Sequence, residues 1–298
     1  MDILVFGAGS LGSLLGGLLA AEHDVTLVGR DPHMRATDES GLRITGHVET
    51  TVHPTTRLDP PDSADLAVVC VKSFDTEAAA DALAGCAIDA CLSVQNGMGN
   101  EAVLVDRLDC PVLAGTCTYG AVRPDPGTVR CTGVGDLTLG PPEGGSTALA
   151  ERVGRAFESA SVATSVVDDM SARLFEKLAV NAGINATTAL ARLENGAVLD
   201  GDAGALAAAA TRETAAVARS EGIELSDQAA ERALESVAAD TAANISSMHQ
   251  DMAADRRTEV DGINGYVVDR ADELGVDAPV NRTLARLLRA WETGRGLR

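Results

Sequence analysis

The chain has 298 residues, 45% hydrophobic and 23% charged, which is enough for one large or two medium domains with a sizeable core. Asp and Glu number 44 against 24 Lys and Arg, and the net charge of −20 argues against nucleic acid or an anionic membrane surface as a partner, since both would be repelled. Aromatics make up 2% and lysine occurs only twice, a halophilic composition that fits a high-salt cytoplasm where repulsion between carboxylates is screened.

The first element is a short β-rich run, Ile3 to Phe6, followed at once by Gly7-Ala8-Gly9-Ser10-Leu11-Gly12 and a helical stretch to Ala21. Strand, glycine turn and helix give a G-x-G-x-x-G sequence the context of a dinucleotide fingerprint. Gly7 serves the tight turn, Gly9 the close approach of a pyrophosphate, and Gly12 the contact of helix with strand, with N–H groups at the helix start holding phosphate. A second strand, Val25 to Val28, ends in Gly29-Arg30-Asp31. An Arg at this position favours a ribose 2′-phosphate and hence NADP, whereas the adjacent Asp31 keeps NAD open.

Gly41 to His53 alternates about Gly46-His47 as a small hairpin does. Leu66 to Val71 predicts a buried parallel strand ending at Lys72, and Ala90 to Val94 another ending at Gln95-Asn96-Gly97-Met98-Gly99. Ligands in open α/β sheets bind off the carboxyl ends of strands, which puts Lys72 and Asn96 at that rim, although Asn-Gly is also a common turn. Strands are further predicted over Val112–Val122, Thr128–Cys131 and Asp136–Leu139, then an amphipathic helix over Leu149–Ser159 and a strand over Ala163–Val167. Beyond Asp168 the strand signals stop, and alanine-rich helices are predicted at about 170–190, 203–220, 227–244, 246–273 in one or two pieces, and 281–292. The reading is an α/β fold, a Rossmann-type nucleotide domain over 1–168 and an all-helical domain over 169–298, with a cleft expected between them.

Within the first of those helices Lys177, Asn181 and Asn185 recur every four residues, a stripe about 80° wide. Asn is a poor filler of helix interiors, so a row of one cation and two amides predicts use by something outside the helix, either a ligand or a neighbouring domain. Lys72 and Lys177 are the two lysines among 24 basic residues. Lysine differs from arginine in presenting a compact charge with a transferable proton. A later polar cluster runs from Ser246-Ser247 through His249 and Asp251 to Glu259; Ser247 and Asp251 are one turn apart, but Glu259 shares their face only if the helix breaks.

Cysteines 70, 86, 91, 110, 117 and 131 contain no C-x-x-C and lie mostly in apolar runs, so they read as small buried hydrophobes in a reducing compartment, with no disulfide framework and no metal site. The apolar run Leu11–Ala21 is too short and glycine-rich for a membrane span, and a cytoplasmic location is expected.

Taken together, Gly7 to Gly12, Lys72, Gln95-Asn96-Gly97-Met98-Gly99, Glu176-Lys177-Leu178-Ala179-Val180-Asn181 with Ile184-Asn185, Ser246-Ser247-Met248, and Arg257-Thr258-Glu259-Val260-Asp261 with Ile263-Asn264-Gly265 resemble the ketopantoate reductase (2-dehydropantoate 2-reductase) family. The resemblance runs in order along the whole chain. It implies a helical domain like the C-terminal domain of 6-phosphogluconate dehydrogenase. The activity implied is NADPH-dependent reduction of 2-dehydropantoate to (R)-pantoate, for pantothenate and coenzyme A biosynthesis. It further implies Lys177 as general acid, Asn181 and Asn185 on the substrate hydroxyl, Ser247 on its carboxylate, and Glu259 in closing the site about substrate and cofactor. Lys72 and Asn96 would lie by the nicotinamide, Asn96 also by the substrate, and Arg30 at the 2′-phosphate. A related alternative is an NAD(P)-dependent dehydrogenase of another small 2- or 3-hydroxy acid. The expected partner is a small keto acid, and the alanine-rich helices leave a homodimer open.

Overall fold

In the computed structural model, which describes residues 1–298, β1 (Asp2–Phe6) runs through the middle of an eight-stranded sheet. The chain continues through α1 (Ser10–Leu19), β2 (Asp24–Val28), α2 (His33–Ser40), β3 (Leu42–Gly46), β4 (Thr50–Val52) and β5 (Thr55–Arg57). Next come β6 (Ser63–Ala64), β7 (Leu66–Val69), α3 (Thr76–Leu83), β8 (Ala87–Ile88), β9 (Cys91–Ser93) and α4 (Asn100–Arg107). The first unit closes with β10 (Val112–Cys117), β11 (Gly120–Asp125), β12 (Thr128–Gly133), β13 (Leu137–Gly140), α5 (Ala148–Ser159) and β14 (Thr164–Val166).

The sheet order is β14-β13-β10-β9-β7-β1-β2-β5, parallel at every pairing except β10 with β13. Successive residues of a strand point to opposite faces, and here both faces are covered. Ile3, Val5, Leu66 and Val68 pack with Leu14 and Leu15 of α1 and Phe157 of α5. Leu4, Ala67 and Val69 pack on the other side with Ala80 and Leu83 of α3 and Leu104 of α4. Each fully buried Leu, Ile or Phe of these layers contributes about 2 kcal/mol relative to exposure. The predicted hairpin is present as β3 and β4, which pair antiparallel.

One expectation is corrected. Val112–Val122 does not form a single strand: the chain leaves the large sheet after Cys117 and enters a second, four-stranded sheet of order β11-β12-β3-β4 at Gly120. Thr118 marks the end of the β10–β13 pairing: its N–H bonds Asp136 O at 3.0 Å and its side chain bonds Asp136 as well, tying the strand end to the approach of β13. The helices α2, α3 and α4 lie outside the elements that the sequence pattern predicts.

The second unit is helical: α6 (Met170–Ala191), α7 (Gly201–Ser220), α8 (Asp227–Asp240), α9 (Ser247–Ala253), α10 (Tyr266–Leu274) and α11 (Pro279–Gly294). The stretch expected as helix over 246–273 is interrupted after Ala253, where Asp255 takes a positive φ of 48°, and resumes through a π-helical turn, Asp261–Gly265. By backbone proximity the chain divides into Met1–Gln95 with Asn100–Met170, and Asn96–Gly99 with Ser171–Arg298. The four residues after Gln95 therefore belong with the helices. No helix is long and apolar enough to cross a membrane.

Candidate active site

The glycine turn after β1 is built from backbone. Gly7 and Ala8 both donate to Val28 O, at 3.0 and 2.9 Å, and Ser13 N–H returns to Gly9 O at 3.0 Å. Gly7 has φ +106°, and a Cβ there would lie 2.8 Å from Val71 N; at Gly12 a Cβ would lie 2.2 Å from Gly7 O. Those two glycines are demanded by the protein itself. Gly9 is different: its hypothetical Cβ meets only Gly7 O, at 3.9 Å, so the fold alone does not require glycine there. Gly9 is also the N-cap of α1, with no side chain to cap the helix and no acidic residue in the first turn. The positive end of the helix dipole and its amides are thus left for an anion, an arrangement that fits a dinucleotide pyrophosphate. Ser10 and Leu11 form the first turn of that helix.

Behind this turn stands a network that the sequence did not disclose. Gly127 N–H donates to His33 Nδ1 at 2.9 Å, which leaves the proton of a neutral ring on Nε2, 2.9 Å from Ser13 Oγ. Ser13 Oγ then donates to Ala8 O at 3.2 Å, and Arg123 donates to the same carbonyl at 3.1 Å. Burial, reinforced by the Arg123 charge, lowers the His33 pKa from its ordinary 6.5 to about 4. Nothing in sequence links His33 to Gly127, 94 positions away.

Arg30 follows β2, with its side chain 89% exposed and 3.4 Å from the Asp75 carboxylate. Asp31 is engaged by Arg35, whose backbone N–H lies 3.3 Å and guanidinium 3.7 Å away. Lys72 is half-buried at the rim beyond β7, in extended conformation at the head of a short 3-10 turn, Ser73–Asp75. The same rim is held by Gln95, which is buried and donates to Val71 O at 3.2 Å and Thr76 Oγ1 at 2.7 Å. Asn100 accepts from Thr76 at 2.8 Å. In sequence Gln95 is legible only as part of the Gln95–Gly99 motif, and its two donations come from the fold.

In the second unit, Lys177 and Asn181 are half-buried on α6 and Asn185 is buried. On the opposite side of the helix Gly183 approaches α7 so closely that a Cβ would lie 2.5 Å from Thr211 Oγ1, and Thr211 donates to Ala179 O at 3.0 Å. Small residues thus hold one face against α7, and the polar stripe lies roughly half a turn away. Farther along, Ser246 caps α9 by accepting from His249 N–H at 3.2 Å, and its Oγ lies 2.9 Å from Thr188 Oγ1 on α6. This contact sets Ser247, exposed at the start of α9, near the Asn185 end of the stripe. His249 reaches Leu193 O at 3.2 Å, and Asp251 pairs with Arg256 at 3.2 Å, so both are structural. Glu259 is buried in the break between α9 and the π-helical turn. Asn96 is half-buried in the loop that joins this unit.

All six cysteines are free thiols, of which Cys91, Cys117 and Cys131 are buried and Cys70, Cys86 and Cys110 half-buried, less uniformly buried than their apolar runs indicated. Burial raises the pKa of Cys70 and Cys91, keeping both as inert thiols.

An α/β unit with an open glycine turn, joined to a helical unit that presents a lysine beside a row of amides, defines a dinucleotide-dependent oxidoreductase. Residues 3–144 match the family model described as Ketopantoate reductase PanE/ApbA, and residues 169–292 its C-terminal counterpart, so the chain belongs to the ketopantoate reductase family. It is 44% identical to a 2-dehydropantoate 2-reductase of Halobacterium salinarum, over 97% of this chain and 98% of that one. The crystal structure of a PanE/ApbA family ketopantoate reductase from Ralstonia eutropha JMP134 superposes with a TM-score of 0.92 at 33% identity, covering 99% of this chain and all of the other. D-Mandelate dehydrogenase, solved as a ternary structure with NADH and anilino(oxo)acetate, shares the fold over the full length of both chains at a TM-score of 0.93 and 24% identity.

Proposed function

We propose that this oxidoreductase reduces 2-dehydropantoate to (R)-pantoate with NADPH, in the cytoplasm and in the service of pantothenate and coenzyme A synthesis. The observation that carries the reading is the Lys177–Asn181–Asn185 stripe, retained whole on the face of α6 that is not used to pack α7, in a chain 44% identical to a protein named for this reaction.

The glycine turn at Gly7–Gly12 would hold the pyrophosphate on backbone amides. Arg30 supports NADPH over NADH: its contact with Asp75 is exposed and weak, so the guanidinium can exchange that carboxylate for a 2′-phosphate at little cost. Asp31, the residue that would favour a free 2′-hydroxyl, is engaged by Arg35. A bound dihydronicotinamide supplies the hydride. The protein's part is to supply the proton and hold the acceptor. Negative charge builds on the ketone oxygen as its carbon is reduced, and the Lys177 ammonium both stabilises that charge and transfers a proton to it, leaving a neutral amine and the product hydroxyl. Asn181 and Asn185 orient the substrate's own hydroxyl, Ser247 receives its carboxylate, and Glu259 with Asn96 completes the enclosure; Lys72 serves the cofactor side.

The test is oxidation of NADPH by the purified protein in concentrated KCl, with 2-dehydropantoate set against a panel of other 2-keto acids and each repeated with NADH. Turnover confined to 2-dehydropantoate and NADPH is expected. Turnover only with a different keto acid would move the protein to a sister dehydrogenase activity.

A further inference from the structure

Three segments that the proposed reaction uses are distant in sequence yet meet on a single five-residue turn. Met98 N–H donates to Gly262 O at 2.9 Å, and Gly97, at φ +81°, lies so near that a Cβ would come within 2.6 Å of the same oxygen. Asn264, fully buried, donates to Ala182 O of α6 at 3.0 Å, beside Asn181, and to Asn281 Oδ1 at 2.9 Å. The turn also begins on the site: Ile263 N–H bonds Glu259 O at 3.2 Å, and Gly265 N–H bonds Val260 O at 2.8 Å.

Its own position is set by charge. Asp261 accepts from Arg289 at 2.8 Å and Arg298 at 2.9 Å; burial works to raise its pKa, but those two guanidinium groups outweigh it and hold the carboxyl below its ordinary range. The wholly buried Glu292 shares Arg298 at 2.8 Å and accepts from Thr258 N–H at 2.8 Å, which pins the residue just before Glu259. A π-helical turn is a rare local geometry that is frequently found at functional sites. None of these contacts serves the core as apolar packing would.

We propose that the turn Asp261–Gly265 is the positioning element of the site, with Gly262 and Asn264 as positioning residues that hold Asn96, the Lys177 stripe and Glu259 in one register. This rests on the reading that those three groups carry the reaction. Gly97→Ala should push the loop off Gly262. Gly99→Ala is its control, because Gly99 has a similar φ of +88° but only Tyr266 within reach, at 3.9 Å. Both variants bear the same backbone strain, and only the first loses the contact.

The expected result is a kcat lowered at least about 10-fold in Gly97→Ala and no more than about threefold in Gly99→Ala, with NADPH binding by fluorescence within about twofold of wild type in both. Hydrogen–deuterium exchange, which is independent of turnover, should rise in Gly97→Ala for peptides covering 178–186 and 258–266, and stay unchanged in Gly99→Ala. Asn264→Ser, which keeps the Gly97 contact but removes both amide donations, should reproduce the kcat loss and the exchange in 178–186. Equal kcat losses in the two glycine variants, or exchange confined to the mutated loop, would overturn the proposal. Wild-type protein without turnover on any keto acid would instead sink the functional reading, while the exchange pattern would still decide the positioning role.

Discussion

The two halves of the proposed site are made of different material. At the glycine turn the groups proposed to work are backbone amides, placed by Gly7 and Gly12 where a Cβ would collide and left accessible at Gly9 where it would not. On the helical side the proposed groups are side chains, Lys177, Asn181, Asn185 and Glu259, whose proposed roles depend on where α6 and the π-helical turn set them. A backbone site tolerates changes of neighbouring side chains and fails when the turn itself cannot form. A side-chain site fails at single atoms.

The largest break of that contrast is expected at Lys177. Lys177→Ala should lower kcat by about 100-fold or more while NADPH still binds, because the proposed function assigns binding to the glycine turn and proton transfer to the lysine. Steady-state kinetics with a separate binding titration checks this, and near-normal turnover would remove Lys177 from the chemistry.

On the backbone side the comparable stake is His33, whose neutral ring supports Ser13 and through it Ala8 O. Its pKa lies at about 4 in the folded protein against an ordinary 6.5, so the unfolded chain takes up the proton first. The associated stability is therefore whole above pH 6.5 and is lost as pH falls toward 4, with a ceiling of about 3 kcal/mol. Other groups around the ring are Arg123, which opposes protonation, and the neutral Ser13 and Gly127 N–H. Thermal melts from pH 7 to 4 should show the advantage of wild type over His33→Gln shrinking as pH drops; a constant difference would contradict a neutral His33.

A smaller effect separates the cofactors. Arg30→Ala should weaken NADPH by about 10-fold, the value of one charge-assisted contact, and leave NADH nearly unchanged. Equal loss for both would place Arg30 away from the 2′-phosphate. The smallest effect is global: with a net charge of −20, the melting temperature should rise with KCl as self-repulsion is screened, in both units alike. A salt-independent melt would rule out the halophilic reading.

What the amino-acid sequence determined by itself was whatever repeats or signals within a few residues. The G-x-G-x-x-G turn is legible because its glycines answer to backbone geometry within one βαβ unit, the strand runs because buried parallel strands are continuously apolar, and the Lys177 stripe because a helix brings every fourth residue to one face. Tertiary structure alone decided the rest. It bound the Asn96 loop to the helical unit through Gly262, backed the glycine turn with a histidine whose partner lies 94 residues away, and broke the helix after Ala253, the break within which Glu259 is buried. In each case the deciding interaction is a hydrogen bond or steric contact between positions with no periodic relation, and such contacts come into being only when the chain has folded.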